Sequence, residues 1–169
     1  MPTADRPLYV YALVVVVLFA VVGAGVGLAI NFTLGFFIQQ FVDPGVDPLS
    51  VTQVAILFLV SILFIYALAP VVAGIAGFGT GNALRDHDAS AAVVGGVGSL
   101  VGFYVYAGLA LFLVLAVLST YGPPPDGGGN PNGGGPLDPG GIARLTLQVS
   151  LPVGLVGLLS AFVTSRFGS

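Results

Sequence analysis

The chain has 169 residues, of which 56% are hydrophobic and only 7% charged, with a formal net charge of -3 and a mean hydropathy of +1.06. A soluble domain carries about 25% charged residues, so a surface this poor in charge excludes a free-standing water-soluble protein. The net negative charge argues against nucleic acid or anionic lipid as the main partner. The absence of cysteine excludes disulfides and thiolate metal sites.

Residues 8–42 form the first long uncharged stretch, LYVYALVVVVLFAVVGAGVGLAINFTLGFFIQQFV. About 20 apolar helical residues cross a bilayer core, so this stretch has length to spare. A short polar lead with Asp5 and Arg6 precedes it. The apolar run exceeds the 7–15 residues or so of a secretory h-region, which points to an uncleaved first helix. As one helix it would rise about 52 Å against a core of about 30 Å, so the span is placed at about 8–34 and the excess must tilt, bend or project. Asn31 and Gly35 are the expected bend points. Beyond them Phe32, Phe36, Phe37 and Phe41 gather at the exit, either as an interfacial aromatic turn or as a projecting apolar surface for a partner to cover.

Residues 43–50, DPGVDPLS, spell a turn, with Ser50 placed to cap the next helix. The second span is expected at about 51–79, with a kink before Pro70. Residues 80–90, TGNALRDHDAS, hold the one charge cluster and the only histidine, His87. A metal site there would have to use Asp86, His87 and Asp88. Chain neighbours seldom converge on one ion, and no second His or Cys completes the set. A third span is expected at about 91–118 and a fourth at about 142–167, with a kink at Pro152. Between them lies a Gly/Pro-rich loop, 119–141: nine glycines and six prolines occupy fifteen of the twenty residues 122–141. Its glycine triplets lack the Lys and Ser/Thr of a phosphate loop, and such a segment behaves as a tether.

The fold class is therefore all-α: a polytopic membrane protein, one four-helix transmembrane bundle over residues 1–169. Four spans put the N- and C-termini on the same side. Arg6, Arg85 and Arg166 share that side against Arg144 on the other, so positive-inside reasoning places both termini in the cytoplasm, or in the particle interior if the membrane is viral.

Where lipid replaces water, close approach of small residues drives helix association. Rows at three- and four-residue steps supply it: Gly23 and Gly27 in the first span, Gly74 and Gly77 in the second, Gly95 and Gly102 in the third, Gly154 and Gly157 in the fourth. A resemblance between 20–28 (AVVGAGVGL) and 92–100 (AVVGGVGSL) falls at different depths of the two spans, and coincidence explains it better than a parallel repeat. No span interior carries Asp, Glu, Lys or His, which argues against a proton relay or ion-coupled transport. The intramembrane polar candidates are Tyr66, Tyr104, Tyr106 and Gln148, with a Tyr66–Tyr104 hydrogen bond expected between helices.

All seven acids are Asp and all four bases Arg, and the sequence pI is about 4.5. This usage resembles membrane proteins of halophilic archaea and of their viruses. The function expected is that of a non-enzymatic structural or accessory subunit, with no catalytic residue, metal or cofactor. Its expected partners are the lipid bilayer and either another membrane protein or a second copy. The alternative is an oligomeric passive channel, holin-like pore or small-solute transport component, with a wet path lined by the tyrosines, Gln148 or Ser150.

Overall fold

The computed structural model describes residues 8–85, 87–121 and 139–167. The polar lead, Asp86, the bulk of the Gly/Pro-rich loop with Asp126 and Asp138, and the last two residues lie outside the described residues. Four helices account for nearly everything else: α1 (Leu8–Phe41), α2 (Thr52–Ala83), α3 (Asp88–Tyr121) and α4 (Pro139–Phe167). All four are long and apolar enough to cross a membrane, and the chain fits a multi-pass integral membrane protein.

Each helix outruns the span expected from hydropathy. α1 continues through Asn31 and Gly35 to Phe41. α2 continues through Pro70, and also through Thr80 and Gly81, which the sequence assigned to a loop. Two contacts hold that last turn helical: Thr80 Oγ1 donates to the Ala76 carbonyl at 2.8 Å, and Gly81 lies against the Ala161 backbone of α4. The α2–α3 link shrinks to a tight corner in which Arg85 donates to Asn82 Oδ1 at 2.8 Å. α4 begins at Pro139, a residue suited to a first helical turn because it has no N–H to leave unbonded.

The α1–α2 turn differs from expectation in one detail. Ser50 does not cap α2; its hydroxyl turns back to the Asp47 carbonyl at 2.6 Å, and the N-cap position falls to Val51. Asp47 instead accepts from the Leu49 amide, closing a 3-10 turn over Pro48–Ser50. Gly45 takes a φ of +86°, a conformation that side-chain-bearing residues adopt only with strain.

The most extensive contact joins two helices that are not neighbours in sequence. α1 packs mainly on α3, α4 on α3 and α2, and the α1–α2 contact is the slightest of these. The α1–α3 seam is a ladder of rungs four residues apart on α1. Val15 fills the space over Gly98 and Phe19 that over Gly102, where an added Cβ would come within 2.5 Å of the ring. The roles then exchange. A Cβ at Gly23 would stand 2.7 Å from the Tyr106 carbonyl oxygen, and one at Gly27 would stand 2.9 Å from Ala110 Cα. Further up, the rungs turn polar: Asn31 Nδ2 donates to the Leu113 carbonyl at 2.6 Å, and Gln39 Nε2 donates to Tyr121 Oη. Between them Gly35 rests on Val117. The pairing therefore holds an offset of 82–83 residues from Val15 to Gln39. The two similar segments at 20–28 and 92–100 are offset by 72, so they sit about 16 Å apart in depth.

The remaining seams meet at Gly157 of α4. Gly77 of α2 and Gly95 of α3 both face its carbonyl oxygen, with added Cβ atoms at 2.5 and 2.8 Å, and Ser99 covers its Cα. Gly74 and Gly154 are looser, their nearest neighbours at 3.8 and 3.4 Å. Ser160 Oγ donates to the Gly74 carbonyl at 2.8 Å, tying α4 to α2.

Large exposed apolar side chains run from Ile56 to Phe78 on α2 and from Val93 to Leu115 on α3. The Tyr106 hydroxyl bonds to the Ile65 carbonyl, which levels these antiparallel helices and brings the two ranges into register. The belt they form is about 33 Å tall, close to the roughly 30 Å of a bilayer core.

A matched pair of substitutions on α1 tests the ladder. Gly23→Val drives a side chain into the Tyr106 backbone and is expected to destabilise by about 1–3 kcal/mol. Gly25→Val, where nothing lies within 4 Å, should leave the melting temperature in detergent nearly unchanged. Equal effects from the two would contradict the seam.

Candidate functional site

Two regions hold the residues singled out from the sequence: the exit end of α1 and the middle of the bundle. At the exit end the register decides what each phenylalanine meets. Phe32 lies level with the belt edge marked by Leu115. Phe36 and Phe41 then stand about 6 and 13 Å beyond it, alongside Ser119, Thr120 and Tyr121. They are 74%, 64% and 51% exposed for Phe32, Phe36 and Phe41. Phe37 is half-buried and joins them into a row, its ring 5.9 Å from Phe36 and 5.6 Å from Phe41 between centroids. An open groove of about 460 Å³ runs beside Phe32 and Phe36, with Asn31, Gln39, Thr120 and Tyr121 as its polar lining. The α1–α2 turn does not extend this exposed apolar surface, because Pro48 is buried and Val42 and Leu49 pack on the core.

The middle of the bundle is filled by rings. Phe19 meets Tyr106 edge-on at 6.2 Å, and Phe103 lies 6.3 Å from Tyr66, 5.8 Å from Tyr104 and 6.5 Å from Tyr106. Each phenol finds a partner, though not the expected one. Tyr66 and Tyr104 do not bond to each other. Tyr66 Oη pairs with Thr146 Oγ1 at 2.8 Å, and Tyr104 Oη donates to Ser150 Oγ at 3.2 Å. Both bonds cross to α4, whose hydroxyls offer acceptors at the depth where the facing tyrosine would have to turn aside. Tyr106 donates to the Ile65 carbonyl at 2.8 Å. That acceptor precedes Tyr66, whose own carbonyl lacks its helical donor because Pro70 has no N–H. Gln148 differs from the tyrosines: it is exposed on the outer face of α4.

His87 is exposed in the α2–α3 corner, and its carbonyl accepts the Ala91 amide at the start of α3. Among the described residues no group of three or more His, Cys, Asp or Glu is placed to hold a metal. Asn31, named from the sequence as a bend point, is a cross-link from α1 to α3. Its four-residue spacing from Gly27 and Gly23 was the signal for that role. Ser99, on the α3 face that meets α4, has a buried Oγ with no hydrogen-bond partner among the described residues, and the Gly157 backbone of α4 lies against it.

No family model matches the chain, and comparison with the curated proteins and with the solved structures finds no match.

The two kinds of buried hydroxyl should respond oppositely to deletion. Tyr106→Phe removes a made bond and is expected to cost about 0.6–1.7 kcal/mol. Ser99→Ala removes an unmade one and should be neutral or stabilising. Unfolding in detergent reads both, and a marked loss for Ser99→Ala would mean that the hydroxyl is bonded after all.

Proposed function

We propose that the protein is a non-enzymatic structural or accessory subunit of a membrane, and that the exit end of α1 docks a partner protein outside the hydrocarbon layer. The observation that carries this reading is the row of exposed phenylalanines rising past the apolar belt. Within the belt an exposed Phe rests in lipid at no cost. Beyond it the same ring meets headgroups or water, and a contiguous apolar patch there marks an interaction surface. Tyrosine and tryptophan, which carry a polar atom for the headgroup level, are the usual residues of that zone, whereas phenylalanine offers apolar area alone.

On the Arg distribution, both termini would face the cytoplasm, or the particle interior in a virus, leaving the phenylalanine end outside. The Asp/Arg usage resembles that of membrane proteins of halophilic archaea and their viruses, and supports placing the protein in such a membrane. Other proteins in that membrane are the partners this reading requires, and nucleic acid is not among them. The oligomeric-pore alternative needs water beside Tyr66, Tyr104, Tyr106, Gln148 or Ser150. Burial of Tyr66, Tyr106 and Ser150 and the bonds their hydroxyls make within one chain favour a packed interior over a conduit.

The test is co-purification from the native membrane in mild detergent. Phe32→Ala/Phe36→Ala should abolish recovery of a partner that the unaltered chain brings down at fixed stoichiometry. The melting temperature should hold, since neither ring is in the core. Undiminished recovery, or recovery of a homo-oligomer alone, would overturn the reading.

A further inference from the structure

We infer that the outer face of α4, with the adjoining furrow of α3, is a lateral docking site for a transmembrane helix that brings a carboxylate and an amide or hydroxyl into the membrane. This deepens the accessory-subunit reading and rests on its membrane setting, but it concerns a surface remote from the phenylalanines.

The argument starts from depth. Ser150 bonds to Tyr104, Gly154 lies against Leu100 and Gly96 against Leu158. These pairs level α4 against α3 and put Gln148 opposite about Tyr106, and Arg144 opposite about Ala110. The belt on α3 ends at Leu115. Gln148 therefore stands about 13 Å below that edge, near the middle of the belt, and Arg144 about 6–8 Å below it. Both side chains are exposed. They are one helical turn apart on the same face, which continues into Leu151, Leu155 and Leu159, all exposed. An apolar furrow of about 280 Å³ runs along this face between Gly96, Val97 and Leu100 of α3 and Leu151, Gly154 and Leu155 of α4.

Among the described residues, no hydrogen bond reaches the Gln148 carboxamide, and no carboxylate lies within ion-pair distance of Arg144. Arg144 alone would be satisfied by snorkelling to a lipid phosphate. Gln148 would not, because its side chain falls several ångströms short of any headgroup, and acyl chains offer neither donor nor acceptor. Only protein can bond to it at that depth. A second copy placed by two-fold symmetry would pair Gln148 with Gln148 but would also bring two Arg144 guanidinium groups together. A different helix, with an amide or hydroxyl opposite Gln148 and Asp or Glu opposite Arg144, supplies the bond Gln148 lacks and a charge partner nearer to Arg144 than a phosphate, and the furrow flanked by Gly96 and Gly154 admits it closely.

The probe is a synthetic single-span Leu/Ala helix carrying one Glu and one Gln at the two depths, with an all-apolar helix for comparison. Association with the full-length protein is read by energy transfer in phosphatidylcholine liposomes. The polar helix is expected to bind roughly tenfold more tightly than the apolar one. Arg144→Leu and Gln148→Leu should each remove most of that difference while the protein keeps its melting temperature. Equal binding of the two helices, or a preference indifferent to both substitutions, would overturn the proposal. So would self-association that Gln148→Leu abolishes, which would assign the face to a second copy. So too would loss of the preference on adding anionic lipid, which would assign Arg144 to phosphate. Phe32→Ala/Phe36→Ala should leave the preference intact, so failure at the phenylalanine end and failure here are separate results.

Discussion

The parallel seam between α1 and α3 is the most extensive helix contact in this molecule, and it fixes where α1 stands against the bundle. Lipid offers helices little hydrophobic reason to associate, so a stable pair needs backbones close enough for dense dispersion contact. The ladder achieves this by exchanging bulk between rungs. α1 supplies Val15 and Phe19 where α3 has Gly98 and Gly102, and α3 supplies the Tyr106 and Ala110 backbones where α1 has Gly23 and Gly27. Sliding α1 by a turn in one direction would drive Phe19 onto the Tyr106 backbone, and in the other would leave Gly23 facing Gly102 with no bulk between them, so a single register is specified. Asn31 and Gln39 continue it with hydrogen bonds that hold the upper third together where the rungs thin out.

Both proposed contact surfaces are consequences of register. Because α1 is pinned to α3 from Val15 to Gln39, its last two turns are held upright and cannot fold down to bury Phe36 and Phe41 in lipid. α4 is set by its own contacts: Gly157 between Gly77 and Gly95, Ser160 on Gly74, and the Tyr66–Thr146 and Tyr104–Ser150 bonds. These place its polar first turns below the belt edge, so that Arg144 and Gln148 are exposed at the depth of the apolar belt. A bundle with all four helices centred on the same plane would show neither feature.

Hydropathy and the three- and four-residue rows were enough to anticipate four helices, their order and the residues that face neighbours. Gly23, Gly27, Gly77, Gly95, Gly102 and Gly157 all lie where another helix presses on them. What the rows do not contain is the identity of the helix opposite, since spacing defines a face and not its partner. For that reason the preference of α1 for α3 over α2, and of Tyr66 and Tyr104 for α4 over each other, appears only in three dimensions. Helix ends were misjudged at Thr80 and Gly81 for a related reason: these residues break isolated helices, yet a close neighbour and a side-chain bond to Ala76 keep them helical. Gln148 was recognised as polar, but its exposure follows from the placement of α4 and had no local signature.

The chain contains no native cysteine, which allows the seam to be measured directly. Two cysteine pairs, Val15→Cys/Gly98→Cys and Gly35→Cys/Val117→Cys, sample its two ends; the first places the Cβ atoms about 3.2 Å apart, close to disulfide geometry. Oxidation of each variant in the membrane is the most direct test of the account. Efficient cross-linking of both pairs, with none for the shifted pair Val15→Cys/Gly102→Cys, is the expected result. Cross-linking at one end only, or equally in the shifted register, would contradict a continuous parallel α1–α3 ladder.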